Sequence, residues 1–215
     1  MSAVEPDDQR TPIRAVVFDW SGVLTESPLS GLHRYSAQLG LPETTLDGYV
    51  RGDEEFAKVE RGELPVRDFL KSVCVRVRDE HGVEIDIRRL AAAMADTRTL
   101  RPEMIDLVTE LGERYTLAVL TNNVLENRDH LETTLPTERF AFILNSADVG
   151  VRKPDPEIYR ELLRRLDCAG PEVVYIDDFA ENLPPAAALG MTTIEFTDPR
   201  ELRRTLAGLG VEVSP

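Results

Sequence analysis

Cysteine, histidine, basic charge and long apolar runs are all scarce in this 215-residue chain, and each shortage removes a class of function. The two cysteines, Cys74 and Cys168, stand far apart with no C-x-x-C spacing. Neither a zinc site nor a disulfide framework is indicated, and reduced thiols in a cytoplasm are expected. The three histidines, His33, His81 and His130, have no spacing that suggests a metal site or a triad. Basic residues number 25 against 39 acidic ones, a formal charge of -14 that repels nucleic acid and anionic lipid surfaces. A small phosphorylated ligand stays compatible with that charge, because backbone dipoles and a divalent cation reverse the potential inside one pocket. No apolar run approaches membrane-spanning length and no internal repeat is present. Residues 1–12 carry no secretory pattern and read as a short disordered arm.

What is present is an alternation. Short aliphatic, β-branched runs at Ile13–Phe18, Thr116–Leu120, Phe140–Leu144, Val173–Ile176 and Thr192–Phe196 read as buried parallel strands. Helical patterns at Pro102–Arg114, Leu125–Leu135, Asp155–Asp167 and Ala180–Leu189 separate the later strands. This order predicts an α/β fold with a doubly wound parallel sheet, whose ligand crevice lies at the carboxyl ends of the strands. The stretch after the first strand breaks the rule: Leu29–Leu39, Glu54–Glu60, Val66–Val77 and Ile87–Met94 are amphipathic helical patterns without a convincing strand. Either a cap over the crevice or extra helices packed on the core fits this insertion. The expected organisation is a core of residues 13–27 and 101–215 with a helical cap of residues 28–100.

Four strand ends carry chemistry-bearing residues. The first runs into Asp19-Trp20-Ser21-Gly22, where a carboxylate can attack phosphorus and Gly22 permits a sharp turn with amides facing phosphate, or where a plain turn suffices. Thr121-Asn122-Asn123 ends the second strand, as phosphoryl hydrogen-bond donors or as helix caps. Lys153 precedes a proline-started helix and either neutralises the site or is a solvated charge. Asp177-Asp178 ends another strand, and adjacent carboxylates there repel one another unless a cation, with Mg²⁺ the oxygen-seeking candidate, sits among them.

In this order the four segments resemble the motifs of the haloacid dehalogenase superfamily. The likeness spans nearly the whole chain, is loosest in the helical insertion, and is densest from Thr121 to Thr197. There Gly150–Tyr159 and Tyr175–Met191 look like the phosphatase domain of soluble epoxide hydrolase and its bacterial single-domain relatives. The resemblance implies a cytoplasmic Mg²⁺-dependent hydrolase of a small phosphorylated metabolite, working as a monomer or homodimer. It implies Asp19 as nucleophile and metal ligand, with the Ser21 carbonyl and Asp178 completing the protein ligands. Trp20, Ser21, Gly22, Thr121, Asn122 and Lys153 would contact the phosphoryl group, and Asp177 and Asn182 would orient the neighbouring loop. Glu60-x-Gly62-x-Leu64 resembles a turn common in that branch.

Ser21 departs from the pattern, because most phosphatases of the superfamily place a second Asp there to protonate the leaving oxygen and activate water. A serine hydroxyl has no useful acidity near neutral pH, and general acid-base help is worth about 10²- to 10⁴-fold. Three readings follow: a phosphatase that manages without that acid, phosphonatase- or dehalogenase-like cleavage, or a binding protein that has lost turnover. A phosphonatase needs a cap lysine, for which Lys58 and Lys71 are the candidates. Tyr35, Tyr49 and Phe56 read as packing within the cap or as lining of its pocket, and the Asp53-Glu54-Glu55 run as a solvated face.

Overall fold

A computed structural model describes residues 11–27, 29–95 and 99–214, so the expected N-terminal arm lies almost wholly outside the described residues. Aliphatic residues form the strands because both faces are covered, so no alternation with polar residues is needed. Among the described residues β1 (Ala15–Phe18), β2 (Thr116–Thr121), β3 (Phe142–Asn145), β4 (Val173–Asp177) and β5 (Thr192–Glu195) form one parallel sheet in the order β3-β2-β1-β4-β5.

Between β1 and β2 lie α1 (Leu29–Gln38), α2 (Glu54–Glu60), α3 (Val66–His81), α4 (Ile87–Ala95) and α5 (Pro102–Leu111). Later come α6 (Arg128–Thr134), α7 (Ser146–Val149), α8 (Pro156–Leu166), α9 (Leu183–Ala188) and α10 (Pro199–Gly208). Alternate residues of β1 feed two apolar layers. Val16 and Phe18 pack with Leu107 of α5 and Leu206 of α10, whereas Ala15 and Val17 face Ile158 and Leu162 of α8. A third cluster, with Leu32, Phe69, Val73 and Leu90, belongs to the helical lobe and takes in Val124 from the loop after β2. The two chain crossings into the lobe lie side by side, joined by a Thr25↔Leu100 bridge and by the Arg101 N–H donating to Leu24 O at 2.9 Å.

The structure departs from the sequence reading in several places. α3 runs on to His81, where Gly82 at φ 69° closes it. The stretches after β2 and β4 open with tighter turns, Leu125–Asn127 and Ala180–Asn182, before regular helix begins. α10 was not expected, although Asp198 caps it by accepting from the N–H groups of Arg200 and Glu201 and Pro199 starts it. Asp53 is not a solvated face residue: it caps α2 and pairs with Arg76 at 2.8 Å. No helix among the described residues is long and apolar enough to cross a membrane.

Candidate active site

Strand order reverses between β1 and β4, and the crevice of a doubly wound sheet opens at such a switch point. Asp19 leaves β1 there, its N–H donating to Ile176 O at 2.8 Å, so parallel register brings it beside the end of β4. Its Oδ1 accepts from the Trp20 N–H at 2.6 Å and lies 2.9 Å from Lys153 Nζ.

Lys153 is 1% exposed, and its ammonium meets three acceptors: Asp19 Oδ1 at 2.9 Å, Asp177 Oδ2 at 2.7 Å and Leu120 O at 3.2 Å. Burial opposes that charge, but Asp177 and Asp19 outweigh it and hold the lysine protonated. Asn122 fixes the same residue by its main chain. Its Oδ1 accepts from the Lys153 N–H at 2.8 Å and its Nδ2 donates to Lys153 O at 3.0 Å. The Asn122 side chain therefore acts on the lysine segment and caps no helix.

The adjacent carboxylates differ in role. Asp177 is fully buried and accepts from Lys153, the Tyr175 hydroxyl, the Phe179 N–H at 2.8 Å and Asn182 Nδ2 at 3.0 Å. Asp178 Oδ1, by contrast, is buried without a hydrogen-bond partner, as is Thr121 Oγ1 on β2. Unpaired buried polar atoms are costly, and both sit where the sequence reading places a cation and a phosphoryl group.

Carboxylate oxygens of Asp19, Asp177 and Asp178 lie within 4.8 Å of one another. Three ionised carboxylates against one ammonium would leave two negative charges uncompensated in a largely buried cluster. Burial first, then Asp177, pushes Asp178 up to about 6, with Lys153 in partial opposition. Burial also drives Asp19 well above the ordinary aspartate range; Lys153 opposes this and Asp177 and Asp178 add to it. The all-oxygen donor set, the charge deficit and the orphaned Asp178 oxygen fit a hard divalent cation.

Gly22 lies against the Asp178 carboxylate. It sits at φ 91°, and a Cβ there would lie 2.0 Å from Asp178 Oδ2. Gly22→Ala is expected to lose about 1–2 kcal/mol to the left-handed backbone alone, read by urea unfolding. It also forces the Asp178 carboxylate aside, so stabilisation by added Mg²⁺ should vanish in the same variant.

Above this floor a cavity of about 580 Å³ opens between sheet and helical lobe. Leu32, Phe56, Leu70 and Met94 from the lobe meet Val124 and Phe179 from the loops after β2 and β4, with Trp20 and Ser21 on the floor. Phe56 thus lines the cavity, whereas Tyr35 and Tyr49 pack inside the lobe. Lys58 and Lys71 are exposed and line nothing here. Across the mouth, the Arg51 guanidinium lies 5.1 Å from the Phe179 ring centre.

The model of the haloacid dehalogenase-like hydrolases matches residues 13–190. This chain belongs to that family. Among relatives of this haloacid dehalogenase-like hydrolase, the bifunctional epoxide hydrolase 2 of Rattus norvegicus is 27% identical over 213 residues, 90% of this chain but only 38% of the relative. The chain thus spans well under half of that protein. A sesquiterpene phosphatase of Aspergillus oryzae is 30% identical over 193 residues, covering 87% of this chain and 92% of the relative. The fold is shared with a HAD family enzyme of Bacteroides thetaiotaomicron solved in complex with magnesium and inorganic phosphate. That likeness has a TM-score of 0.64 at 21% identity, over 85% of this chain and 93% of the other.

Proposed function

We propose that this hydrolase is a Mg²⁺-dependent phosphatase that cleaves monoesters with an apolar organic group through an aspartyl-phosphate on Asp19. The observation that carries the chemistry is the meeting of Asp19, Lys153 and Asp178 at the carboxyl end of the sheet, with Lys153 Nζ 2.9 Å from the attacking carboxylate. Asp19, Asp178 and the Ser21 carbonyl would hold the cation, which supplies neutralisation of phosphoryl charge. Lys153 holds a second positive charge against the same group, and Thr121 Oγ1 donates to a phosphoryl oxygen. Asp177 and Asn182 keep the β4 loop in register. Positioning and electrostatics of this kind supply most of the rate in phosphoryl transfer. The helical lobe, residues 28–100, serves as the cap that excludes water.

The apolar walls of the cavity support the substrate class, and the relative acting as a sesquiterpene phosphatase agrees with it. Burying four methylene groups at about 0.8 kcal/mol each gives about 3 kcal/mol, or about 200-fold. An isoprenoid or long-chain alkyl monophosphate should therefore exceed a sugar monophosphate in kcat/KM by about that factor, with phosphate release abolished by chelator. Equal rates on both classes would remove the apolar assignment, and chelator-resistant turnover would remove the metal. The phosphonatase reading lacks support, because neither Lys58 nor Lys71 reaches the cavity.

The cation also links to pH. Metal-free, the folded protein keeps a proton on Asp178 up to about pH 6 that the unfolded chain releases near 3.8. Stability from this group is thus present at low pH and lost as pH rises through that window. Mg²⁺ replaces the proton, so at 100 times its Kd it should raise Tm at pH 8 by about 5–10 °C and have little effect below about pH 5. Thermal scans with and without Mg²⁺ at both pH values test this.

A further inference from the structure

The cavity wall carries a partly buried ion pair that joins the two lobes. Glu60, the last residue of α2, is 7% exposed and lines the wall, and Arg152 Nε donates to its Oε2 at 2.6 Å. Arg152 directly precedes Lys153, so two consecutive residues link the Glu60 carboxylate to the nucleophile. The other carboxylates lining this cavity have evident roles or are solvated. Asp19 is the nucleophile, Glu126 Oε1 accepts from the Val66 N–H at 3.2 Å at the start of α3, and the Glu181 side chain is 59% exposed. Ser21 offers no acid, yet an alkoxide leaving group needs a proton.

We propose that Glu60, carried on the cap, is the proton-transfer residue of this site; the proposal rests on the phosphatase reading above. In the first half-reaction an Asp19 oxygen bonds to phosphorus as the P–O bond to the leaving group breaks, and the protonated Glu60 carboxyl gives its proton to the departing oxygen. In the second, water attacks phosphorus, its proton passes to the Glu60 carboxylate, and the Asp19–phosphorus bond breaks. The acid is regenerated and phosphate leaves. The groups acting on Glu60 are Arg152 and Lys153 from the segment before α8 and the adjacent Arg61. Burial outweighs these cations and keeps its pKa above that of a free glutamate, which favours a group that exchanges protons. Because Glu60 belongs to the helical lobe, the acid is in place only when the lobe is seated.

Glu60→Gln keeps the shape and still accepts from Arg152, so the cap contact survives while proton transfer is lost. With an alkyl monophosphate its turnover should fall about 10²- to 10⁴-fold. With p-nitrophenyl phosphate, whose leaving group needs no proton, the first turnover should stay within about threefold of wild type, followed by slow dephosphorylation and hence a nitrophenol burst. Adding Ser21→Asp to that variant should raise alkyl phosphate turnover at least about tenfold. Glu60→Asp, which keeps the charge pair but withdraws the carboxyl, should show the same split with a smaller loss. Undiminished alkyl phosphate turnover would overturn the proposal. So would equal loss on both substrates without a burst, matching an Arg152→Gln variant that only breaks the tether. A wild-type protein that releases no nitrophenol with Mg²⁺ would instead overturn the phosphatase reading.

Discussion

Asp19→Asn is expected to lower phosphate release on the order of 10⁴- to 10⁶-fold, the range for deleting a covalent nucleophile. The same change should make the metal-free protein more stable. Burial, aided by Asp177 and Asp178, raises the Asp19 pKa in the folded state despite Lys153. An acid whose folded pKa is raised contributes stability at low pH that disappears as pH climbs through the shifted value. At pH 8 the neutral amide removes that burden, and at pH 4 it changes little. Paired thermal scans at these pH values, beside a phosphate-release assay, check both halves. A variant that stays active, or melts lower at pH 8, would contradict the assignment. Loss of function with gain of stability is the signature of a group held in place for chemistry.

Lys153→Met should do the opposite to stability. The ammonium is the shared partner of Asp19 and Asp177 and also donates to Leu120 O, so its removal strands buried carboxylates. Breaking such a pair by deleting one partner costs about 3–5 kcal/mol, and activity should be lost with it. Lys153→Arg is no rescue, because a planar fork does not fit a point between three acceptors. Combining Lys153→Met with Asp19→Asn should recover part of the lost stability, since one stranded charge is then gone. Urea unfolding of the two single variants and the double variant measures that coupling. Strict additivity would argue against a shared charge site.

Much of this architecture was legible in residue order. Every strand of the sheet was anticipated, because doubly buried parallel strands leave dense aliphatic runs bounded by polar punctuation. Asp19, Lys153 and Asp177-Asp178 were legible as candidates for a related reason: a strand end in this topology is already at the crevice. The division of labour between Asp177 and Asp178 was not readable from local composition. It depends on which carboxylate faces Tyr175 and Asn182, and the likeness to the superfamily supplied it. Asn122 was ambiguous between phosphate contact and helix cap, and the hold of its side chain on the main chain of a residue 31 positions later was not legible at all. The pairing of Glu60 with Arg152, 92 positions apart, escaped notice because no spacing rule links a cap helix to a core loop. α10 was overlooked although Asp198-Pro199 and the Leu202 and Leu206 spacing announce it.

The loop after β2 has one further implication. It presents Asn122 to the lysine segment, yet two and four residues later Val124 sinks into the apolar cluster of the helical lobe and Glu126 accepts from the first N–H of α3. Undocking the lobe must therefore wet a valine and free a backbone amide at the same stretch of chain that steadies Lys153. On the proposed reading of the lobe as a cap, opening for substrate entry and product exit costs those contacts, and closure restores them before any bond breaks.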